Sequence, residues 1–193
     1  MAINPIKLTG TWDEGYAIDV HIISSKYTGN DVYGYPVFDN KYSEMGQLLH
    51  QYKYNNQQSK LADIIELTKP FIKSWAAISE VDFVLPVPPS KSRIYQPTQE
   101  IAREIAMLIG VGYSDEILKK ESAIESKGLS EPEKQQVYDS IIQTKKAVKS
   151  HNMLLVDDLY QTGTTLEACV RVLRKDSNIM KIYVLTMTKT RKR

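Results

Sequence analysis

Apolar positions along the chain repeat with two different periods, and the change falls near residue 56. Before it, Tyr16, Ile18, Val20 and Ile22 alternate with Ala17, Asp19 and His21, the period-two pattern of a half-buried strand. Asp19 and His21 then share the polar face. An acid–base or metal pair would use that arrangement, but an exposed strand face explains it more simply. From Gln58 the spacing becomes helical: Leu61, Ile64, Ile65, Thr68, Ile72 and Trp75 recur every three or four residues, and Pro70 is expected to kink or split the helix. Val81 to Val87 is a short apolar run closed by Pro86, Pro88 and Pro89, which reads as a buried strand entering a rigid loop.

Thr98 to Ile109 predicts a second amphipathic helix, with Ile101, Ala102, Ile105, Ala106 and Leu108 inward and Gly110 as its stop. Glu116 to Lys119 suggests a short strand, and Lys120 to Ser130 a polar loop. Ser130 and Glu133 make a capping pair for a helix expected to run to about Val148. The last third is clearest. Met153 to Val156 is a wholly apolar strand, Asp157 to Gly163 a loop, Thr164 to Lys175 a helix, and Lys181 to Met187 another apolar strand. Strands alternating with helices predict an α/β fold, a doubly wound and mainly parallel sheet with helices on both faces. Ligands in such sheets bind beyond the carboxyl ends of the strands.

Composition narrows the function classes. The chain has 193 residues, enough for one full core. Seven of its twelve tyrosines lie in the first 55 residues, which sets off 1–55 as a strand-rich hood segment from an α/β core at 56–193. Lysines and arginines number 25 against 23 acids, a net charge of +2. Nucleic-acid binding is therefore not implied by charge, although a local basic patch is compatible with it. A single cysteine, Cys169, cannot close a disulfide within the chain and suits a reduced, cytoplasmic protein. No apolar run approaches the about 18 residues of a membrane span, so no membrane role is expected.

The chemistry concentrates in Leu154-Leu155-Val156-Asp157-Asp158-Leu159-Tyr160-Gln161-Thr162-Gly163-Thr164-Thr165. A buried strand delivers two carboxylates to a sheet edge, and a turn at Gly163 opens a helix. The first amides of that helix are unpaired and lie at the positive end of its dipole, which makes a phosphate site. Thr162, Thr164 and Thr165 add hydroxyl donors. Two carboxylates beside an anion site would repel a bare phosphate. They make sense if they hold hydroxyl groups, or a magnesium ion carried by the same ligand. A sugar phosphate combines those features.

This segment resembles the phosphoribosyl-pyrophosphate (PRPP) motif of type I phosphoribosyltransferases. Gln161 stands where that family usually has its first threonine, which removes a hydroxyl there but leaves the backbone amides. The run Asp82 to Arg93, with its Pro86-Val87-Pro88 turn, and the helix end Leu49 to Tyr54 with Lys53 resemble the competence-protein ComF-like branch. The cysteine pairs that bind zinc in many branch members are missing here. The resemblance implies a transferase of nucleotide metabolism, moving phosphoribosyl from PRPP to a small-molecule acceptor with release of pyrophosphate. Asp157 and Asp158 would serve the ribose and catalysis. Tyr160, Gln161, Thr162, Gly163, Thr164 and Thr165 would hold the 5-phosphate, and Val87, Pro88, Pro89, Ser90, Lys91 and Arg93 the pyrophosphate. Lys119, Lys120 and Lys127 would flank a lid. Mg2+ would be the cofactor, held mainly by the ligand and also within reach of Asp157 and Asp158. A non-catalytic module that senses PRPP or a nucleotide, or serves DNA uptake, is the alternative on the same fold.

Consecutive strand residues point to opposite faces, so both acids can aim at one ribose only if the strand ends between them. His21, His50 and His151 show no ligand spacing, Cys169 reads as a core residue, and Lys189, Arg191, Lys192 and Arg193 as a solvated tail. The acceptor and the oligomeric state, self-association included, are left open.

Overall fold

The computed structural model describes residues 3–54, 57–89, 95–121 and 131–191. In chain order the strands are β1 (Ile6–Lys7), β2 (Glu14–Val20), β3 (Ile22–Asn30), β4 (Pro36–Tyr42), β5 (Phe83–Pro86), β6 (Gly112–Tyr113), β7 (Leu118–Lys120), β8 (Ile141–Gln143), β9 (His151–Tyr160) and β10 (Ile179–Lys189). The helices are α1 (Glu44–Tyr54), α2 (Lys60–Ser74), α3 (Pro97–Ile109), α4 (Glu131–Ser140) and α5 (Thr164–Leu173). A six-stranded sheet in the order β1-β2-β10-β9-β5-β6 forms the centre. All its neighbours pair in parallel except β1 with β2. No helix among the described residues is long and apolar enough to cross a membrane.

The alternation of β9 explains the two layers of helices. Leu154 and Val156 join a core with Ile64 and Ile72 of α2, Ile101 and Ile105 of α3, and Met45 and Leu49 of α1. Met153 and Leu155 face the other way, into a core with Leu166, Cys169, Val170 and Leu173 of α5. A strand buried on both faces must be apolar at successive positions, which is the continuous run read from the sequence. β5 lies between β6 and β9, so the chain leaves β5 toward one side of the sheet and returns on the other. The helix after β5 packs on one face and the helix after β9 on the opposite face. Between β5 and β9 the sheet therefore has its topological switch point, with a crevice at the carboxyl ends.

Several elements differ from expectation. β2 lies inside the sheet, with Ala17 and Ile18 both fully buried and Asp19 buried as well. Asp19 is thus not on an exposed face, and its carboxyl pKa is raised by burial despite a bond from the Val20 amide. α2 runs through Pro70 as one helix, with the proline on its exposed side. The helix expected to reach Val148 stops at Ser140, where Ile141 pairs instead with Lys120 of β7. Gly110 does end α3, with φ at 73° and its amide bonded to the Ala106 carbonyl.

α1 is seated by a close approach. The Ser43 hydroxyl accepts the Gly46 amide at 2.9 Å and donates to the Val20 carbonyl. The Ser43 amide donates to the His21 carbonyl at 3.2 Å. A Cβ on Gly46 would stand 2.1 Å from the His21 carbonyl oxygen, so the helix could not keep this seat. Gly46→Ala is expected to destabilise the fold by about 1–3 kcal/mol through overpacking, despite alanine's better helix propensity. A thermal melt should show a loss of several degrees, and an unchanged or higher Tm would refute the close contact.

Candidate functional site

Pairing, not side-chain polarity, decides where β9 ends. Its register with β10 continues past the apolar run through Asp157↔Thr186 and Leu159↔Thr188 to Tyr160↔Lys189. Asp157 and Asp158 therefore lie within the strand rather than in a loop, and the connection to α5 is only Gln161-Thr162-Gly163. The alternation answers the question posed by the sequence: the two carboxylates point to opposite faces.

Asp158 faces α1 and α3. Its Oδ2 accepts from the Lys53 ammonium at 2.6 Å and from the Thr98 hydroxyl at 3.0 Å. Thr98 belongs to the first turn of α3, so that helix start is also at the crevice. The Lys53 and Asp158 side chains are only 20% and 15% exposed. Burial opposes the charge on Lys53, but Asp158 outweighs it and the ammonium pKa is raised. Asp157 faces α5. Burial and the neighbouring Asp158 carboxylate raise its pKa well above the usual range, against the Asp158 amide bond and the pull of Lys53. Burial pushes the Cys169 thiol up as well, and Asp157 adds to that shift across the same face.

The turn before α5 is tight, and its last position demands glycine. Gly163 adopts φ 82°, and a Cβ there would meet the Tyr160 hydroxyl at 2.8 Å. Glycine is thus required twice, for backbone sign and for space. Gln161 and Thr162 are exposed, whereas Thr164 is buried with its hydroxyl 2.9 Å from that of Thr162. Tyr160 stands edge-on to Trp12 at 6.4 Å, with the Lys189 ammonium 5.6 Å from its ring centre. The Thr190 amide donates to the Tyr160 carbonyl at 2.9 Å and braces the turn. Lys189 is therefore no solvated tail: β10 carries its cation to the Tyr160 ring beside this turn.

At the other side of the crevice, Pro86 is in register with Val156. The Val87 amide donates to the Val156 carbonyl at 2.9 Å. Prolines 88 and 89 have no amide hydrogen, so residues 87–89 offer no backbone donor to a ligand. A pyrophosphate contact at Val87, Pro88 and Pro89 would therefore have to use groups other than their backbone amides. Ser90, Lys91 and Arg93 lie outside the described residues, as do Lys127 and residues 122–130 of the expected lid. Lys119 and Lys120 belong to β7, which pairs antiparallel with β8, and Lys120 is near enough to oppose the shift of Cys169 on the α5 side.

Sequence reasoning gave no role to Lys53, Thr98 and Lys189 and set His21 aside. His21 Nδ1 lies 3.1 Å from the Thr188 hydroxyl, which donates to the Asp158 carbonyl at 3.2 Å. Burial and the Lys53 charge lower its pKa, against the pull of Asp158. The signal for Lys53 was present in the Lys53-Tyr54 helix end, but nothing local links it to an acid 105 residues away.

Two outcomes follow. Asp157 has a folded pKa above its unfolded one, so protonation supports the fold at low pH and that support is lost as pH rises through the folded value. Melts from about pH 5 to 8 should show Asp157→Asn gaining on the wild type as pH rises, and parallel curves would contradict the shift. Lys53→Met should cost about 2 kcal/mol, between the values of exposed and buried pairs. In the Asp158→Asn background the same change should cost much less, and an equal cost in both backgrounds would show that the pair is not coupled.

No family model and no curated protein matches the sequence. Solved structures similar to the chain include adenine phosphoribosyltransferase from Thermoanaerobacter pseudethanolicus, 15% identical, covering 87% of this chain and 95% of that one with a TM-score of 0.46. Orotate phosphoribosyltransferase from Aeropyrum pernix is 15% identical, with coverage of 83% and 74% and a TM-score of 0.44. Phosphoribosylpyrophosphate synthetase from Mycobacterium smegmatis is 18% identical over 63% of this chain, with a TM-score of 0.41, and the match spans 33% of the synthetase.

Proposed function

We propose that the protein is a phosphoribosyltransferase that binds PRPP at the β5–β9 switch point and transfers its phosphoribosyl group to a nitrogenous small molecule. The observation that carries this reading is the placement of Asp157, Asp158 and the Gly163 turn together at the carboxyl edge where α3 and α5 diverge. In this reading the exposed Gln161–Thr162 turn and the start of α5 hold the 5-phosphate, with Lys189 adding charge. Asp158, on the open face with Thr98, accepts hydrogen bonds from the ribose hydroxyls once Lys53 yields its carboxylate. Lys53 then faces the anionic ligand. Asp157, behind the strand, supports the cradle rather than the sugar.

The acceptor nitrogen attacks the anomeric carbon with its lone pair, the bond from that carbon to the pyrophosphate oxygen breaks, and the nitrogen gives up its proton. Positioning and charge stabilisation suffice for such a displacement. No cluster of three acids, histidines or cysteines suited to a metal occurs among the described residues. With Asp158 engaged by Lys53 and Asp157 leaning toward its protonated form, the residues suit a magnesium ion that arrives on the pyrophosphate. When bound, the ion would neutralise charge on the leaving group. The Pro86-Val87-Pro88 turn and the Lys53-Tyr54 helix end support placement in the ComF-like branch, and Ser90, Lys91 and Arg93 are the residues proposed to meet the pyrophosphate. The strand hairpin of the first 55 residues is proposed as the hood.

Calorimetric titration with PRPP should show binding that needs magnesium and disappears with a chelator. Pyrophosphate release with one of a panel of purine, pyrimidine and amine acceptors should follow. Thr162→Ala should weaken PRPP binding by about ten- to a hundredfold, the worth of a hydrogen bond to a charged group. Its Tm should stay near the wild-type value, since Thr162 is exposed and its bond to the Thr164 amide is long at 3.4 Å. Unchanged affinity together with a lower Tm would make Thr162 a helix cap and sink the phosphate assignment.

A further inference from the structure

The β3–β4 hairpin leaves the core between His21 and Ser43 and carries an unusual amount of open apolar surface. Val32 is 92% exposed, Tyr33 82%, Tyr35 69%, Tyr27 55% and Phe38 41%, with Ile23 and Val37 also open. At about 200 Å² per ring, the four aromatic side chains alone leave roughly 500 Å² uncovered. That is the size of the largest apolar patch on a typical monomer, a class of patch that is often functional. It is also more than half of the about 800 Å² that each partner gives to a standard interface.

The tip is built to present these side chains. The Asp31 carboxylate accepts the amides of Tyr33 at 2.9 Å and Tyr35 at 2.8 Å, and the Asp31 amide donates to the Tyr35 carbonyl at 2.8 Å. Gly34 completes the turn at φ 84° with nothing within 4 Å of a Cβ placed on it. Tyr27 and Phe38 meet edge-on at 5.7 Å across the strands. A two-stranded hairpin is marginal in water by itself, yet this one holds its rings outward in a fixed turn. A backbone fixed in this way pays less ordering cost on binding, and tyrosine is a residue type enriched among those that dominate interface energies.

Charge selects the occupant. Residues 22–42 contain two lysines, Lys26 and Lys41, and two aspartates, Asp31 and Asp39, so the hairpin is neutral. Lys26 stands opposite Asp39 in the register. A neutral surface with both signs repels no second copy of itself and offers no excess charge to a nucleic acid. Two-fold contacts bring the same patch to both sides, which doubles the apolar area available. We propose that the hairpin is the interface of a homodimer, with the rings of Val32–Tyr35 and the Tyr27–Phe38 pair packed against those of the second copy.

Sedimentation velocity over a concentration series tests this on the full chain. The wild type should sediment as a dimer, and Tyr33→Ser/Tyr35→Ser should shift the boundary to the monomer, with Kd raised about tenfold or more because each change occurs on both sides. At concentrations where the wild type is monomeric, the variant's Tm should match the wild type, since both side chains are exposed, and only the wild type should gain stability as concentration rises. Hydrogen exchange in residues 23–41 should slow as wild-type concentration rises and lose that dependence in the variant. A monomeric wild type at every concentration overturns the proposal, as does a dimer indifferent to the double substitution. A monomer that binds a single-stranded oligonucleotide through the same tyrosines would likewise overturn it and assign the hairpin to nucleic acid.

Discussion

Hydrogen bonding between β9 and β10 sets the chemistry of the crevice, because it holds Asp157 and Asp158 in extended backbone beyond the apolar run. Extended backbone sends neighbouring side chains to opposite faces. One acid is then obliged to enter the layer beneath α5, where desolvation disfavours its charge. The other meets the layer of α1 and α3, where a lysine and a threonine satisfy it. Two adjacent, chemically identical residues thereby acquire different surroundings. The lysine supplied by α1, the position of α1 against β2, and the short turn into α5 all follow from that division.

The sequence made the buried strands, their order in an alternating α/β chain, and the strand–turn–helix unit around Gly163 legible. Each of these rests on a local signal: continuous apolar residues, helical spacing, or a glycine where a turn must reverse φ. What escaped notice depended on partners distant along the chain. Asp157 to Tyr160 looked like loop because two acids interrupt the apolar run, yet their backbone groups find a ladder in β10. Ile141 seemed to continue α4 until β7 offered it a strand partner. Asp19 looked exposed because an alternating pattern cannot reveal that both faces of β2 are covered, with Ile18 in one core and Ala17 in the other.

The site shows the same division. Gly163 and the two acids were evident as a unit, but their individual duties were not, since strand length decided them. Lys53 and Thr98 carry no local mark of function. They matter because packing of α1 and the prolyl start of α3 brings them within hydrogen-bond reach of one carboxylate. Lys189 sat in a basic terminal stretch, the commonest of surface features, and only the length of β10 distinguishes it.

The amide of Ser43 on the carbonyl of His21 closes the hairpin at its root. Chain enters and leaves this excursion at nearly one point, and both ends are pinned to the sheet and to α1. Anything between them is, mechanically, a loop on a sealed stem. Insertions, deletions or wholesale replacement of residues 22–42 would transmit no tension to the strands that carry the acids, because the stem absorbs the difference in contour length. The appendage and the crevice are thus free to diversify at separate rates within one chain.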